Sequence, residues 1–349
     1  MPVALFNDGM LADVYQVLMA RLEAVQERFD RQLESDLPPV QRLIRHVEHY
    51  RGKMLRPMLT LACGLAAHPR ASTTPPAELG SLLGPDHETV AAVCEMTHMA
   101  TLVHDDVLDE ADTRRRGETI NRLHGNETAV ILGDLLIAGA FHLCSQLDSQ
   151  RSALIIGRVS MDMCAGELLQ LHHRGDFSLD EATYFEIVGR KTAALISAAC
   201  ELGALHSGAS DEVVAALGSF GRRLGIAFQI QDDVLDLTGR AEVIGKPVGK
   251  DLEKAKLTLP VIHHLKEVGA ADRGRSLRTL EEACGEGPTA AQASQRMAGL
   301  LGSTSSLAYA TRAASRLVEE AKSGLSVIAD SPARALLLAM ADKVVDRSS

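Results

Sequence analysis

Apolar residues recur at three- and four-residue spacing through most of the chain. The stretches "VYQVLMARLEAVQERF", "VAAVCEMTHMATLV", "SALIIGRVSMDMCAGELLQL" and "RALLLAMADKVV" all follow it, which predicts helices. Roughly ten or more helices are expected, many apolar on more than one face and therefore central. Two segments break the pattern. Residues 68–86, "HPRASTTPPAELGSLLGPD", are rich in Pro, Gly, Ser and Thr and read as a surface loop. Residues 238–260, "TGRAEVIGKPVGKDLEKAKLTLP", place glycines and lysines between two helical patterns. Neither break reads as a linker between domains, so one all-helical domain over residues 1–349 is predicted.

Composition supports this picture. Of 349 residues, 46% are hydrophobic, enough for a large core, while aromatics are only 3% and Trp is absent. Helix formers dominate over β-branched and aromatic runs, which favours an all-α class. A net charge of −10 argues against a nucleic-acid-binding surface, which needs a basic stripe. Six scattered cysteines without a CxxC pair read as reduced thiols of a cytoplasmic protein. The start "MPVALFNDGML" lacks a basic region before an apolar run, so no signal peptide is expected. No run of about 18 consecutive apolar residues occurs, so no membrane span is expected either.

Negative charge is concentrated twice in the same five-residue word. DDVLD starts at Asp105 and again at Asp232, each time after an apolar stretch, "ATLVH" and "GIAFQIQ". Residues three and four apart share a helix face. Asp105, Asp106 and Asp109 are therefore expected to fan over one arc, and Asp232, Asp233 and Asp236 over another. An acid cluster is ordinarily a solvated helix face, but apolar flanks place these acids at the edge of a core. Oxygen ligands without Cys or a His pair favour Mg2+, which takes one or two carboxylates and leaves room for substrate phosphates. Cations suited to a diphosphate accompany the acids: Lys53 and Arg56, with Gly52, in "RGKMLRP", Arg114 and Arg115 in "DTRRRGET", Lys191, with Thr192 beside it, in "GRKTAAL", and Lys246, Lys250 and Lys256 after the second word.

With these motifs together, the chain resembles the trans-prenyltransferases, or polyprenyl diphosphate synthases. The resemblance rests on "GKMLRP", "HDDVLDEADTRR", "AGELLQL", "RKTAAL", "FQIQDDVLD" and "GKPVGKDLEKAKLTLP", in the family's order and near its spacing. It implies a bundle of long helices around a deep central cavity, usually in a homodimer. It also implies Mg2+-dependent, head-to-tail joining of an allylic diphosphate (geranyl, farnesyl or geranylgeranyl) to isopentenyl diphosphate. By position, Asp105, Asp106, Asp109, Asp232, Asp233 and Asp236 would hold three Mg2+ ions on the allylic diphosphate. Arg114, Lys191 and Lys256 would contact that diphosphate, with Lys246 beside it. Gly52, Lys53, Arg56, His87 and Arg115 match the isopentenyl diphosphate site. Thr192 and Gln229 would direct oxygen dipoles at the allylic carbocation, and Gln170 would line the same cavity. Family members with short products carry bulky aromatics one turn before the first word. Here that turn holds Ala100 and Thr101, which implies a longer product. Arg51, Met54 and "RRRGET" depart from the usual pattern, which implies a tuned homoallylic site.

Three other readings compete. His98, His104 and Asp105 could form the histidine-aspartate dyad of an all-helical metal phosphohydrolase, but that leaves Lys191 and Gln229 unused, and His98 alone reads as a core residue. A terpene cyclase needs an N-D-x-x-S-x-x-x-E motif, which "DDVLDLTGR" lacks. A non-catalytic or heterodimer-dependent subunit on the same fold is the third alternative.

Overall fold

The computed structural model of the chain describes residues 9–115, 117–238, 249–285 and 287–346, and most of them are helical. The helices are α1 (Gly9–Leu33), α2 (Pro38–Val47), α3 (Leu55–Ala67), α4 (Pro85–Leu108), α5 (Ile120–His124), α6 (Asn126–Ser145), α7 (Gln150–His172), α8 (Glu181–Val188), α9 (Ala194–His206) and α10 (Asp211–Thr238). They continue as α11 (Lys250–Glu253), α12 (Leu259–Glu267), α13 (Ala270–Ala283), α14 (Pro288–Leu301), α15 (Ser306–Gly324) and α16 (Pro332–Val345). The strands among the described residues form one two-residue hairpin, β1 (Thr113–Arg114) against β2 (Gly117–Glu118). The chain is all-α, as its periodicity predicts.

Helix starts follow local chemistry. Pro38 and Pro85 stand at first helical positions, where a missing N–H costs nothing. The Asp180 side chain accepts from the Thr183 N–H at 2.8 Å and caps α8. The expected loop at 68–86 is partly wrong. Pro76–Leu82 forms a short 3-10 helix against α1, with Leu79 fully buried. Two leucines turned inward give this Pro- and Gly-rich stretch an anchor that its composition hides.

The described residues divide into two compact units. The first comprises Met1–Ser160, Leu195–Gly221 and Gly324–Ala339. Its centre is α4, which packs on α1, α3 and α6 and is buried over most of its circumference. Helix α6 is long and apolar enough to cross a membrane, with mean hydropathy 1.7, and 44% of it is buried inside the protein. The second unit comprises Met161–Ala194, Arg222–Ser323 and Met340–Ser349. In it, α8 packs on α12 and α13 on α14.

A histidine network ties the start of α4 into the first unit. The Gly84 N–H donates to His87 Nδ1 at 3.1 Å, so Nε2 carries the proton and donates to Ser207 Oγ at 2.8 Å. Ser207 in turn donates to the Gly64 carbonyl at 2.6 Å. This chain needs a neutral imidazole. Burial, with His206 close by, pulls the His87 pKa down to about 4, and burial also lowers His206. A histidine depressed in the folded state contributes nothing above its unfolded pKa and destabilises as pH falls below it. Unfolding free energy should therefore drop between about pH 6.5 and 4 by about 3 kcal/mol from His87 alone. Urea melts at pH 7 and pH 4.5 test this: His87→Gln should flatten the difference, and an unchanged pH slope would refute it.

Candidate active site

In the first unit the site grows from the C-terminal end of α4. Asp105 and Asp106 lie in its last turn and Asp109 caps it, its N–H donating to the Asp105 carbonyl at 2.8 Å. The spacing predicts that the three carboxylates share one arc, and the structure corrects this. Asp105 and Asp109 are half-exposed, whereas Asp106 is buried. Asp106 turns inward because Arg114 grips it: Arg114 Nε lies 2.9 and 3.1 Å from its two oxygens and Nη2 lies 2.8 Å from Oδ1. Asn121 donates to the backbone carbonyls of Asp106 and Ala111, which sews the hairpin region to the helix end. The Arg114 guanidinium also lies 5.8 Å from the Tyr50 ring centroid.

A cationic group adjoins it. Arg115, in the left-handed backbone region (φ 48°), donates to the Tyr50 carbonyl. Its guanidinium comes within 2.5 Å of where a Cβ on residue 52 would lie, so a side chain there would push Arg115 from this position. Lys53 is exposed, and Met54, also left-handed (φ 51°), starts α3 just before Arg56. Arg56, Arg115 and Arg114 all act on His98, which burial and these cations hold well below its ordinary pKa. Buried Glu95 lies in the field of Arg56 and Arg115, and burial pushes its carboxyl up. Arg56 Nε and Glu95 Oε2 are buried without a hydrogen-bond partner.

Two expectations are corrected here. His87 is not part of this group: both its ring nitrogens are spent on Gly84 and Ser207, and it lies 18 residues, about 27 Å of helix, before Asp105. His98, read as a core residue, is the histidine that stands with Arg56 and Arg115, about 10 Å before Asp105 on the same helix face. A seven-residue spacing, two helical turns, was the available signal. His104 supports no phosphohydrolase dyad, since its Nε2 bonds the Val130 carbonyl of α6 at 3.1 Å.

The second unit builds a cavity of about 140 Å³ lined by Gln170, Lys191, Thr192, Gln229, Asp233, Asp251 and Lys256, with Tyr184 and His173. Between α8 and α9 the helix widens into one π-turn, Gly189–Ala193, which carries Lys191 and Thr192. Such bulges re-aim side chains within a continuous helix. Lys191 pairs with Glu167 of α7. The close packing needs Gly166, where a Cβ would lie 2.6 Å from the Lys191 nitrogen. Thr192 donates to Gln229 Oε1 at 3.0 Å, Gln229 Nε2 donates to Asp233 Oδ1 at 2.8 Å, and Tyr184 donates to Asp233 Oδ2 at 2.6 Å. Gln229 is thus a fixed relay, with its oxygen turned to Thr192.

The second acid word repeats the logic of the first. Asp233 is buried and locked, while Asp232 and Asp236 are half-exposed. Asp236 accepts from the N–H groups of Lys250 and Asp251, each at 3.2 Å. Burial, together with neighbouring Asp251, pushes Asp233 well above the usual carboxylate range and Asp236 to about 6. Crowded, dehydrated carboxylates of this kind suit a divalent cation, and the donors are all oxygens. Among the described residues no three acidic, His or Cys groups form a ready-made cage. A metal would complete its shell from substrate and water, as Mg2+ does. Glu167, Tyr184 and Asp251 were not singled out from the sequence, although "AGELLQL" contains the first. Lys246 lies outside the described residues.

The polyprenyl synthetase family profile matches residues 38–297. Component 2 of the heptaprenyl diphosphate synthase of Geobacillus stearothermophilus is 36% identical over 257 residues, covering 74% of this chain and 76% of that protein. The decaprenyl diphosphate synthase of Rhodobacter capsulatus superposes with a TM-score of 0.85 at 34% identity, over 96% of this chain and 98% of that one. The polyprenyl synthase of Caulobacter crescentus CB15, solved with calcium and isoprenyl diphosphate, gives a TM-score of 0.85 at 30% identity, over 97% and 98%. Ordered motifs, an all-helical fold and matches along nearly the whole chain converge: the protein belongs to the polyprenyl synthetase family of prenyl transferases.

Proposed function

We propose that this polyprenyl diphosphate synthase extends an allylic diphosphate with isopentenyl diphosphate, head to tail, to a product of roughly six to ten isoprene units. The observation that carries the site assignment is the shared arrangement of the acid words. In each, the second aspartate is buried and locked, by Arg114 or by Tyr184 and Gln229, while the first and fifth are half-exposed. Asp105, Asp109, Asp232 and Asp236 are the carboxylates we assign to metal, with Asp106 and Asp233 holding the framework. Three Mg2+ ions are our count, and held by these carboxylates they would supply Lewis-acid charge stabilisation to a diphosphate leaving group. One catalytic domain over residues 1–349 is part of this proposal, supported by solved relatives matched over 96% of the chain.

The chain's own residues do the rest. Lys191 and Lys256 place positive charge where the diphosphate leaves. Thr192 spends its proton on Gln229, which leaves its lone pairs available to an allylic cation. Arg56, Arg115, Lys53 and His98 bind the diphosphate of the second substrate, whose double bond attacks the cation. A proton is then lost to the released diphosphate, and an apolar cavity keeps water from quenching the cation.

Each charge-assisted bond to a diphosphate contributes about 1.5–3 kcal/mol. Arg56→Ala and His98→Ala should therefore raise KM for isopentenyl diphosphate about ten- to a hundredfold, with kcat little changed. His87→Ala should leave KM alone and lower the melting temperature. The reverse assignment of the two histidines would show in the same kinetics.

A second copy of the chain is the partner we assign to α6, whose outer face exposes Ile131 (66%), Phe141, Val130 and Leu135. The likeness to a component 2 protein favours one other arrangement, a different partner subunit. A cytoplasmic location is proposed, supported by cysteines that are all unpaired. The deciding experiment incubates pure protein with Mg2+, isopentenyl diphosphate and farnesyl diphosphate, then sizes the products and the assembly. Long products from a dimer of one chain support the proposal; no consumption by the chain alone would overturn it in favour of a partner-dependent subunit.

A further inference from the structure

The turn that follows α7 carries a pair of side chains outside every motif quoted above. His173 lines the cavity that also holds Lys191, Thr192, Gln229 and Lys256. Its Nδ1 lies 2.9 Å from Asp176 Oδ2. Asp176 is fixed in turn, for its Oδ1 accepts from the Ser178 N–H at 2.9 Å and from the Ser178 hydroxyl at 2.5 Å. These bonds, Ser178 first and then His173, draw the Asp176 carboxyl down to about 2.

An ionised carboxylate can only accept, so His173 Nδ1 carries a proton. Nε2 is the nitrogen left for a ligand. Geometry also ties this pair to the cavity wall: the Gly175 N–H donates to the Ala255 carbonyl at 2.9 Å, next to Lys256. A carboxylate behind an imidazole stabilises the imidazolium. With a proton on each nitrogen, the ring donates to Asp176 through Nδ1 and can donate to an anion through Nε2.

We propose that His173, oriented by Asp176, is a further binding residue for the diphosphate of the allylic substrate, working beside Lys191 and Lys256. This rests on the assignment of the cavity to that diphosphate. The observations behind it are the hold of Asp176 on Nδ1 and the place of the ring in a cavity with two lysines.

The test compares His173→Ala, His173→Gln, Asp176→Asn and Lys256→Ala with the intact protein. Steady-state kinetics give KM for farnesyl and for isopentenyl diphosphate, and calorimetry gives the affinity for inorganic diphosphate with Mg2+. Loss of one charge-assisted bond predicts, for His173→Ala, about a tenfold rise in KM for farnesyl diphosphate and a similar loss of diphosphate affinity. KM for isopentenyl diphosphate should stay within about twofold. His173→Gln, whose amide still donates, should recover most of the loss, and Asp176→Asn should cost about threefold. If Lys256→Ala weakens diphosphate binding and His173→Ala does not, the proposal fails alone. If neither variant matters, the assignment of the cavity fails with it. Equal rises in both KM values with a lowered melting temperature would show a structural role and overturn the proposal.

Discussion

Asp105→Asn is expected to lower turnover by about a thousandfold with helix content unchanged, and Asp232→Asn to do the same. A thousandfold is about 4 kcal/mol of transition-state stabilisation, within what a bound divalent ion supplies to a leaving diphosphate. Both residues are half-exposed first positions of their words, so their loss should leave the framework standing. Asp106→Asn makes the contrast. That carboxylate is buried and takes three hydrogen bonds from Arg114, of which the amide would lose at least one together with the charge that pairs with the guanidinium. Its replacement should lower the melting temperature as well as turnover. Steady-state rates at limiting Mg2+, with circular dichroism and melting curves, separate the two. Near-normal turnover in Asp105→Asn would remove that residue from the metal assignment.

Ala100→Phe is expected to shorten the product from roughly six to ten isoprene units to about three or four, with the first condensation still running. Ala100 is wholly buried on α4, one turn before Asp105. If it borders the channel for the growing chain, a phenyl ring fills empty space and the protein folds normally. If it packs on a neighbouring helix, the same ring overpacks the core at a cost of about 1–3 kcal/mol or more. Thr101→Phe is the companion variant. Thr101 is half-buried and its hydroxyl only returns to the His98 carbonyl at 2.7 Å, so the substitution disturbs less. Product sizing by reversed-phase chromatography reads the result. Wild-type lengths from a stably folded variant would sink the channel.

Much of this was legible in the sequence, because helical period and repeated motifs are local properties. The all-α class, both acid words and the grouping of Gly52, Arg56 and Arg115 in one site needed only spacing and resemblance. What stayed hidden depends on partners far away in the chain. Asp106 and Asp233 look like their neighbours until Arg114, Tyr184 and Gln229 turn them inward. His87 and His98 are both histidines on α4, and only the Ser207 contact and the field of Arg56 tell them apart. Lys191, a costly residue in mid-helix if alone, finds Glu167 from another helix. Leu79 and Leu82 were masked by a composition typical of loops.

The π-turn at Gly189–Ala193 also bears on how this chain tolerates changes of length. Such a turn holds one more residue than an α-helix of the same rise, so it marks a place where the helix carries a single-residue insertion. Deleting one residue there would let ordinary α pairing return, and the helix would stay unbroken. Yet each residue in an α-helix advances about 100° around the axis. Lys191 and Thr192 would therefore swing away from the side on which Tyr184 reaches Asp233. A deletion harmless to helicity would thus disconnect Thr192 from Gln229, making residue count between 189 and 193 as constrained as residue identity.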